Sequence, residues 1–234
     1  MDLELFLKIF ARAMTLLLVL PRHETAHAFV AKLNGDDTAE RQGRLTIDPF
    51  AHLDPIGSIL ILLTGFGWAK PVPVNPARMR RPRAGMALTA LAGPVSNILA
   101  AFAAGLVNAG IRCTQKGLDA ITDYYINDKV TVLYCTLLVT EFIMSVNVGL
   151  AIFNMLPIPP LDGFNVLRYF TGPKVDRWFY EHFREIQMGF FAFLIILNAN
   201  IIPAKYNLLY ILDDKVFNLI WDIVMQIPKH KWGT

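Results

Sequence analysis

Thr15-Leu16-Leu17-Leu18-Val19-Leu20-Pro21-Arg22-His23-Glu24-Thr25-Ala26-His27-Ala28-Phe29-Val30-Ala31 decides how this chain is read. An apolar run is interrupted by an arginine, two histidines and a glutamate, and then resumes. Residues 5–31 can cross a bilayer, which takes about 20 mainly apolar residues, only if the polar group goes in with the rest. Ionisable side chains inside a membrane segment are costly, so function is the default explanation for them. His23 and His27 stand four apart, and on a helix both imidazoles lie on nearly one face and reach one ion. Glu24 sits next to them, placed to take a proton from water. Imidazole nitrogen suits zinc, and two histidines leave a catalytic zinc one protein ligand short of its usual three.

Composition agrees with a membrane setting. Of 234 residues, 54% are hydrophobic and 18% charged, and the mean hydropathy is +0.42. Water-soluble domains run nearer a quarter charged. The net charge of +3 implies no basic face for nucleic acid. Cys113 and Cys135 are far apart and lack Cys-x-x-Cys spacing, which suggests neither a disulfide framework nor a thiolate zinc site, and Cys135, in an apolar run, is expected to be a packed thiol. Met1-Asp2-Leu3-Glu4 is acidic and leads to no cleavage-site pattern, so the first apolar segment is expected to be retained.

Further apolar segments follow at 86–111, 132–156 and 186–203, with an amphipathic stretch at 206–227. Residues 56–67 are apolar but too short to span, and their β-branched residues and flanking glycine and proline predict a re-entrant or hairpin element. Residues 32–55, 68–85, 112–131 and 164–185 read as polar loops. The expected fold is an all-α polytopic membrane protein with about four to six transmembrane or re-entrant segments and a short membrane-associated β-hairpin-like element, in one domain over 1–234. Loop 32–85 carries eight Lys/Arg and loop 164–185 four, whereas 112–131 carries three balanced by three Asp. Basic loops face the cytosol. The His23–His27 motif and Asp162 then lie toward the same, cytosolic face.

Asp162 is the candidate third ligand. It follows a span directly, and Pro157, Pro159 and Pro160 break the helix there. Freed backbone is tolerated at membrane depth only inside protein or beside a water cavity. The competing role is a helix cap before Phe164. Gly163 allows a tight turn that aims the carboxylate.

His23–His27 with Ala28, Gly43-Arg44-Leu45-Thr46-Ile47-Asp48-Pro49, Gly67-Trp68-Ala69-Lys70-Pro71-Val72-Pro73-Val74-Asn75, Ala92-Gly93-Pro94-Val95-Ser96-Asn97 and Asn154-Met155-Leu156-Pro157-Ile158-Pro159-Pro160-Leu161-Asp162-Gly163 occur in this order. Together they resemble the site-2 protease family of intramembrane zinc metalloproteases, in its compact prokaryotic branch without PDZ or CBS domains, over roughly residues 15–200. The resemblance implies one zinc ion held by His23, His27 and Asp162, with Glu24 as catalytic base and Asn97 and Asn154 as substrate-positioning groups. It implies a multi-pass cell-membrane enzyme that cleaves transmembrane proteins. Pro21-Arg22 departs from the apolar or small approach usual in that family; the proline predicts a kink and the arginine a snorkelling side chain.

Asp48 and His52 read as loop-ordering residues, Glu141 as an intramembrane acid with no partner evident, and His182 and His230 as solvated. The region 56–75 is expected to receive an unwound substrate segment as an added strand. The rival functions are a catalytically silent membrane binding protein of the same fold, supported by Arg22, and a transporter using Glu141 and the histidines, for which the repeated halves common in transporters are missing.

Overall fold

The computed structural model describes residues 9–10, 12–64, 67–127, 129–198 and 208–231. Residues 1–8, with the acidic leader and the start of the first expected span, lie outside this set. So do Gly65-Phe66, residues 199–207, which end the fourth expected span at Pro203 and open the last, and the side chain of His230.

The described chain is helical. Its main helices are α1 (Leu20–Leu33), α2 (Pro55–Thr64), α3 (Pro82–Arg112), α4 (Gln115–Asn127), α5 (Val132–Asn154), α6 (Asp162–Phe170), α7 (Pro173–Glu181), α8 (Phe183–Asn198) and α9 (Leu208–Lys231). Two of them, α3 and α5, are long and apolar enough to cross a membrane. They match the segments expected at 86–111 and 132–156. A π-helical turn, Thr15–Val19, leads into α1, and Pro21 falls in its first turn. Proline lacks the N–H that an α-helical ladder needs, and the wider turn upstream carries the chain into it.

Three expectations need correction. Residues 55–64 form a helix, where a β-hairpin-like element was expected. Asp54 caps it by accepting from the Gly57 N–H at 2.8 Å, and Pro55 occupies the first turn, where a proline costs no hydrogen bond. Among the described residues there is no strand, only an isolated bridge between Leu53 and Ala69. The expected loops 112–131 and 164–185 contain α4, α6 and α7, amphipathic helices whose charged faces made them read as loops. Cys135 is exposed on α5 rather than packed, because an apolar run says nothing of which face of the helix is buried.

Helix α3 is the hub. It packs against α1, α5, α6 and α9. Ala101, Ala109, Met144, Val148, Ile220 and Val224 form the main buried cluster between α3, α5 and α9. Gly105 permits this close approach: a Cβ there would stand 3.1 Å from Val224 and 3.2 Å from Met144 Sδ. A polar network crosses the same layer. Buried Asn108 donates to Leu137 O and Thr140 Oγ1, both at 2.8 Å, and accepts from Arg112 Nε at 2.8 Å. Arg112 also pairs with Glu141 at 3.4 Å and lies 5.2 Å above the Trp221 ring. Glu141 thus has the partner that the sequence did not disclose.

In the connection between α1 and α3, Asp37 bonds to Arg41 and Arg78, and these guanidinium groups hold its carboxyl below the usual carboxylate range.

Candidate metal centre

The motif on α1 addresses a different neighbour at nearly every position. Arg22 carries its guanidinium to Asn147 Oδ1 on α5. His23 and His27 turn to α3. Glu24 Oε2 accepts from the Val72 N–H at 3.1 Å. Thr25 meets the carbonyls of Pro21 and Thr46, in the loop that His52 also ties down with an Nε2–H bond of 2.7 Å to Thr46 O. Asp48 caps the one-turn helix before His52 by accepting from Phe50 N–H at 3.0 Å. Both therefore order the loop, as expected. His182 is exposed and stacks on Trp178.

Across the interface, α3 is shaped to receive two imidazoles. A Cβ on Gly93 would stand 2.5 Å from Cε1 of both histidines, so only glycine lets the helices approach this closely. His27 Nδ1 lies 2.7 Å from Thr89 O. A carbonyl only accepts, so Nδ1 carries the proton and Nε2 keeps a lone pair. Asn97, fully buried, brings its side-chain amide within 3.2 Å of His23 Nδ1, and its carbonyl oxygen has no hydrogen-bond partner. Turning the amide over gives that oxygen Nδ1–H to accept, and leaves His23 Nε2 unprotonated as well.

Asp162 arrives from the far end of the chain. It is the first residue of α6, but its side chain does not cap the helix. Its Oδ2 lies 3.2 Å from His23 Nε2 and 3.4 Å from His27 Nε2. Gly163 secures this placement by close approach rather than by an unusual turn, since a Cβ there would collide with the Met155 and Leu156 carbonyls. The two Nε2 atoms are 3.0 Å apart. All three candidate ligand atoms fall within 4.8 Å of one another.

Two imidazole Nε2 atoms and a buried carboxylate oxygen without a hydrogen bond face a common point. Such donors repel one another unless a cation sits between them. Two nitrogens and one oxygen, with a further position open, suit a catalytic zinc. The outer bonds from His27 to Thr89 and from His23 to Asn97 are of the kind that orients ligating histidines. The residues present fit zinc.

The chain matches Peptidase family M50 over residues 10–197. It belongs to that family, the site-2 proteases. It is 38% identical over 190 residues to "Putative zinc metalloprotease YwhC" of Bacillus subtilis, covering 78% of this chain and 77% of that one. It is 28% identical over 167 residues to "Putative zinc metalloprotease Rip2" of Mycolicibacterium smegmatis, covering 69% of this chain and 57% of that one. No solved structure matches it. As an M50 peptidase the chain is a zinc-dependent metalloprotease of membrane-embedded type, and the family acts on membrane proteins in a lipid setting.

A cavity of about 440 Å³ opens on this candidate centre. His23, Glu24, His27 and Asp162 line it together with Pro71, Val72, Val74 and Asn154. Asn154 donates to Leu150 O at 3.0 Å and borders this space. Asn97 does not border it and lies behind His23. Two contributors escaped the sequence reading: Thr89, which acts through its backbone, and the Val72 N–H on Glu24. Neither carries a side-chain signal.

Proposed function

We propose that this protein is a multi-pass intramembrane endopeptidase whose zinc is held by His23, His27 and Asp162 and whose general base is Glu24. One domain, 1–234, carries the activity. The reading is carried by one observation: residues 23, 27 and 162, distant in sequence, bring two imidazole nitrogens and a buried, otherwise unbonded carboxylate oxygen together. Glu24 stands beside them on the same cavity wall.

His23, His27 and Asp162 would hold the zinc, which would supply Lewis-acid polarisation of the scissile carbonyl and a lowered pKa for the attacking water. Glu24 takes the proton from that water and delivers it to the leaving amine. Asp162 and the histidines fix the site, and Asn97 acts on it by orienting His23. Asn154, at the cavity wall, positions the substrate and supports the developing oxyanion.

A transmembrane helix hides its carbonyls in internal hydrogen bonds, so the substrate unwinds locally before cleavage. The unwound segment lies along residues 67–75, the part of the expected 56–75 region beyond the helix, where Val72 and Val74 line the cavity. In the membrane, α3 and α5 cross together with the segment containing α1 and with α8, and α9 packs as a further helix, giving four to five spans. The basic loops 32–85 and 164–185 support a centre that faces the cytosol.

The test is Glu24→Gln. It retains zinc and loses cleavage of a transmembrane substrate by about 10²–10⁴-fold, the range for removing a general acid–base group. A Glu24→Gln protein that cleaves at the wild-type rate overturns the assignment.

A further inference from the structure

Lys70-Pro71-Val72-Pro73-Val74 passes in front of α1. Proline has no amide hydrogen, so between Lys70 and Val74 the chain offers a single N–H, that of Val72. That N–H donates to Glu24 Oε2. Both ends of the segment are tied to buried groups. The Lys70 N–H donates to His52 O at 2.8 Å, Arg44 Nη2 donates to Lys70 O at 2.6 Å, and the Asn75 N–H donates to Asp36 Oδ2 at 2.6 Å. Arg44, Asp36 and His52 are buried. The prolines fix the backbone further, because each locks its own φ and Pro73 restricts Val72. The sequence thus removes the neighbouring donors and holds the remaining one at a defined point beside the metal centre.

We infer that the Val72 backbone N–H is a positioning group for peptide hydrolysis, holding one oxygen of the Glu24 carboxylate and leaving the other for proton transfer. A glutamate has freely turning side-chain bonds, and ordering such a side chain costs conformational entropy. A bond to a rigid amide meets that cost before substrate binds. The same segment presents Val72 and Val74 to the cavity, so the surface that receives the substrate also sets the base. Because the Val72 N–H is taken by Glu24, replacing Val72 by proline tests the base, whereas Val74→Pro tests substrate pairing.

The inference rests on Glu24 being the base, and the experiment separates the two. Purified full-length protein is assayed on a transmembrane peptide, with kcat, KM and zinc content measured for each variant. Val72→Ala keeps the N–H and measures what the side chain contributes, a loss in kcat smaller than that from deleting the N–H. Val72→Pro lowers kcat by about tenfold or more with zinc content and KM retained, the scale expected for a misplaced reacting group. Should the proline variant fail to fold, an amide-to-ester replacement at residue 72, which deletes the N–H and keeps the side chain, gives the same drop in kcat. In the Glu24→Gln background the ester has no further effect. An ester variant with wild-type kcat overturns the inference, as does a loss in Val72→Ala equal to that in the ester. If Glu24→Gln itself cleaves normally, the base assignment falls first.

Discussion

Gly93 on α3 lies against the imidazole of His27, so close that a Cβ on the glycine would stand 2.5 Å from Nε2. The same atom would meet Cε1 of His23 at 2.5 Å. These contacts are to ring atoms backed by α1, which have little room to yield. Gly93→Ala is therefore expected to wedge α1 from α3 and spread the two nitrogens. Zinc affinity should fall by about 10–100-fold, comparable to losing an outer-sphere partner. Zinc titration of the metal-depleted variant checks this; wild-type affinity would show that the helices part without disturbing the site.

Asn97 acts from behind His23. Asn97→Ala removes the partner of Nδ1 and leaves the ring free to choose its tautomer. Zinc binding should weaken by about 10–100-fold while KM changes little. A raised KM with normal zinc binding would return Asn97 to direct substrate contact.

The buried Asn108 joins α3 to α5 and to Arg112. Asn108→Ala takes one bond each from Leu137 O, Thr140 Oγ1 and Arg112 Nε, and a destabilisation of about 1–2 kcal/mol is expected. The thermal unfolding midpoint in detergent should drop, while cleavage at low temperature and zinc content stay at wild-type levels. An unchanged midpoint would mean that these groups find other partners.

Removing the metal should act on stability as well as activity. Whatever binds the native state alone stabilises it, so chelation lowers the unfolding midpoint and abolishes cleavage, and added zinc restores both. In His23→Ala the midpoint should no longer respond to the chelator. A response of wild-type size in that variant would place the metal elsewhere.

The parts of the candidate site that depend on residue type and spacing could be nominated from the sequence, and the structure brings His23, His27 and Asp162 together. His23, Glu24 and His27 follow from helical geometry, and Asp162 from a proline-broken helix end followed by glycine. The spans α3 and α5 follow from apolar length. What depends on pairing across the fold was not legible: the Arg112–Glu141 contact, the Thr89 carbonyl behind His27 and the Val72 amide on Glu24 join residues far apart or groups that every residue carries. Helices α4, α6 and α7 read as loops because their charge is concentrated on one face. Residues 55–64 read as hairpin because isoleucine and glycine outweighed the Asp54-Pro55 start signal.

The most direct measurement is zinc content, with ligand identity from X-ray absorption, for wild type, His23→Ala, His27→Ala and Asp162→Ala purified alike. The expected result is stoichiometric zinc bound by two imidazoles and a carboxylate oxygen in wild type, and loss of zinc and cleavage together in all three variants. An Asp162→Ala protein that holds zinc and cleaves as wild type does would contradict the convergence of α1 and α6 on one ion.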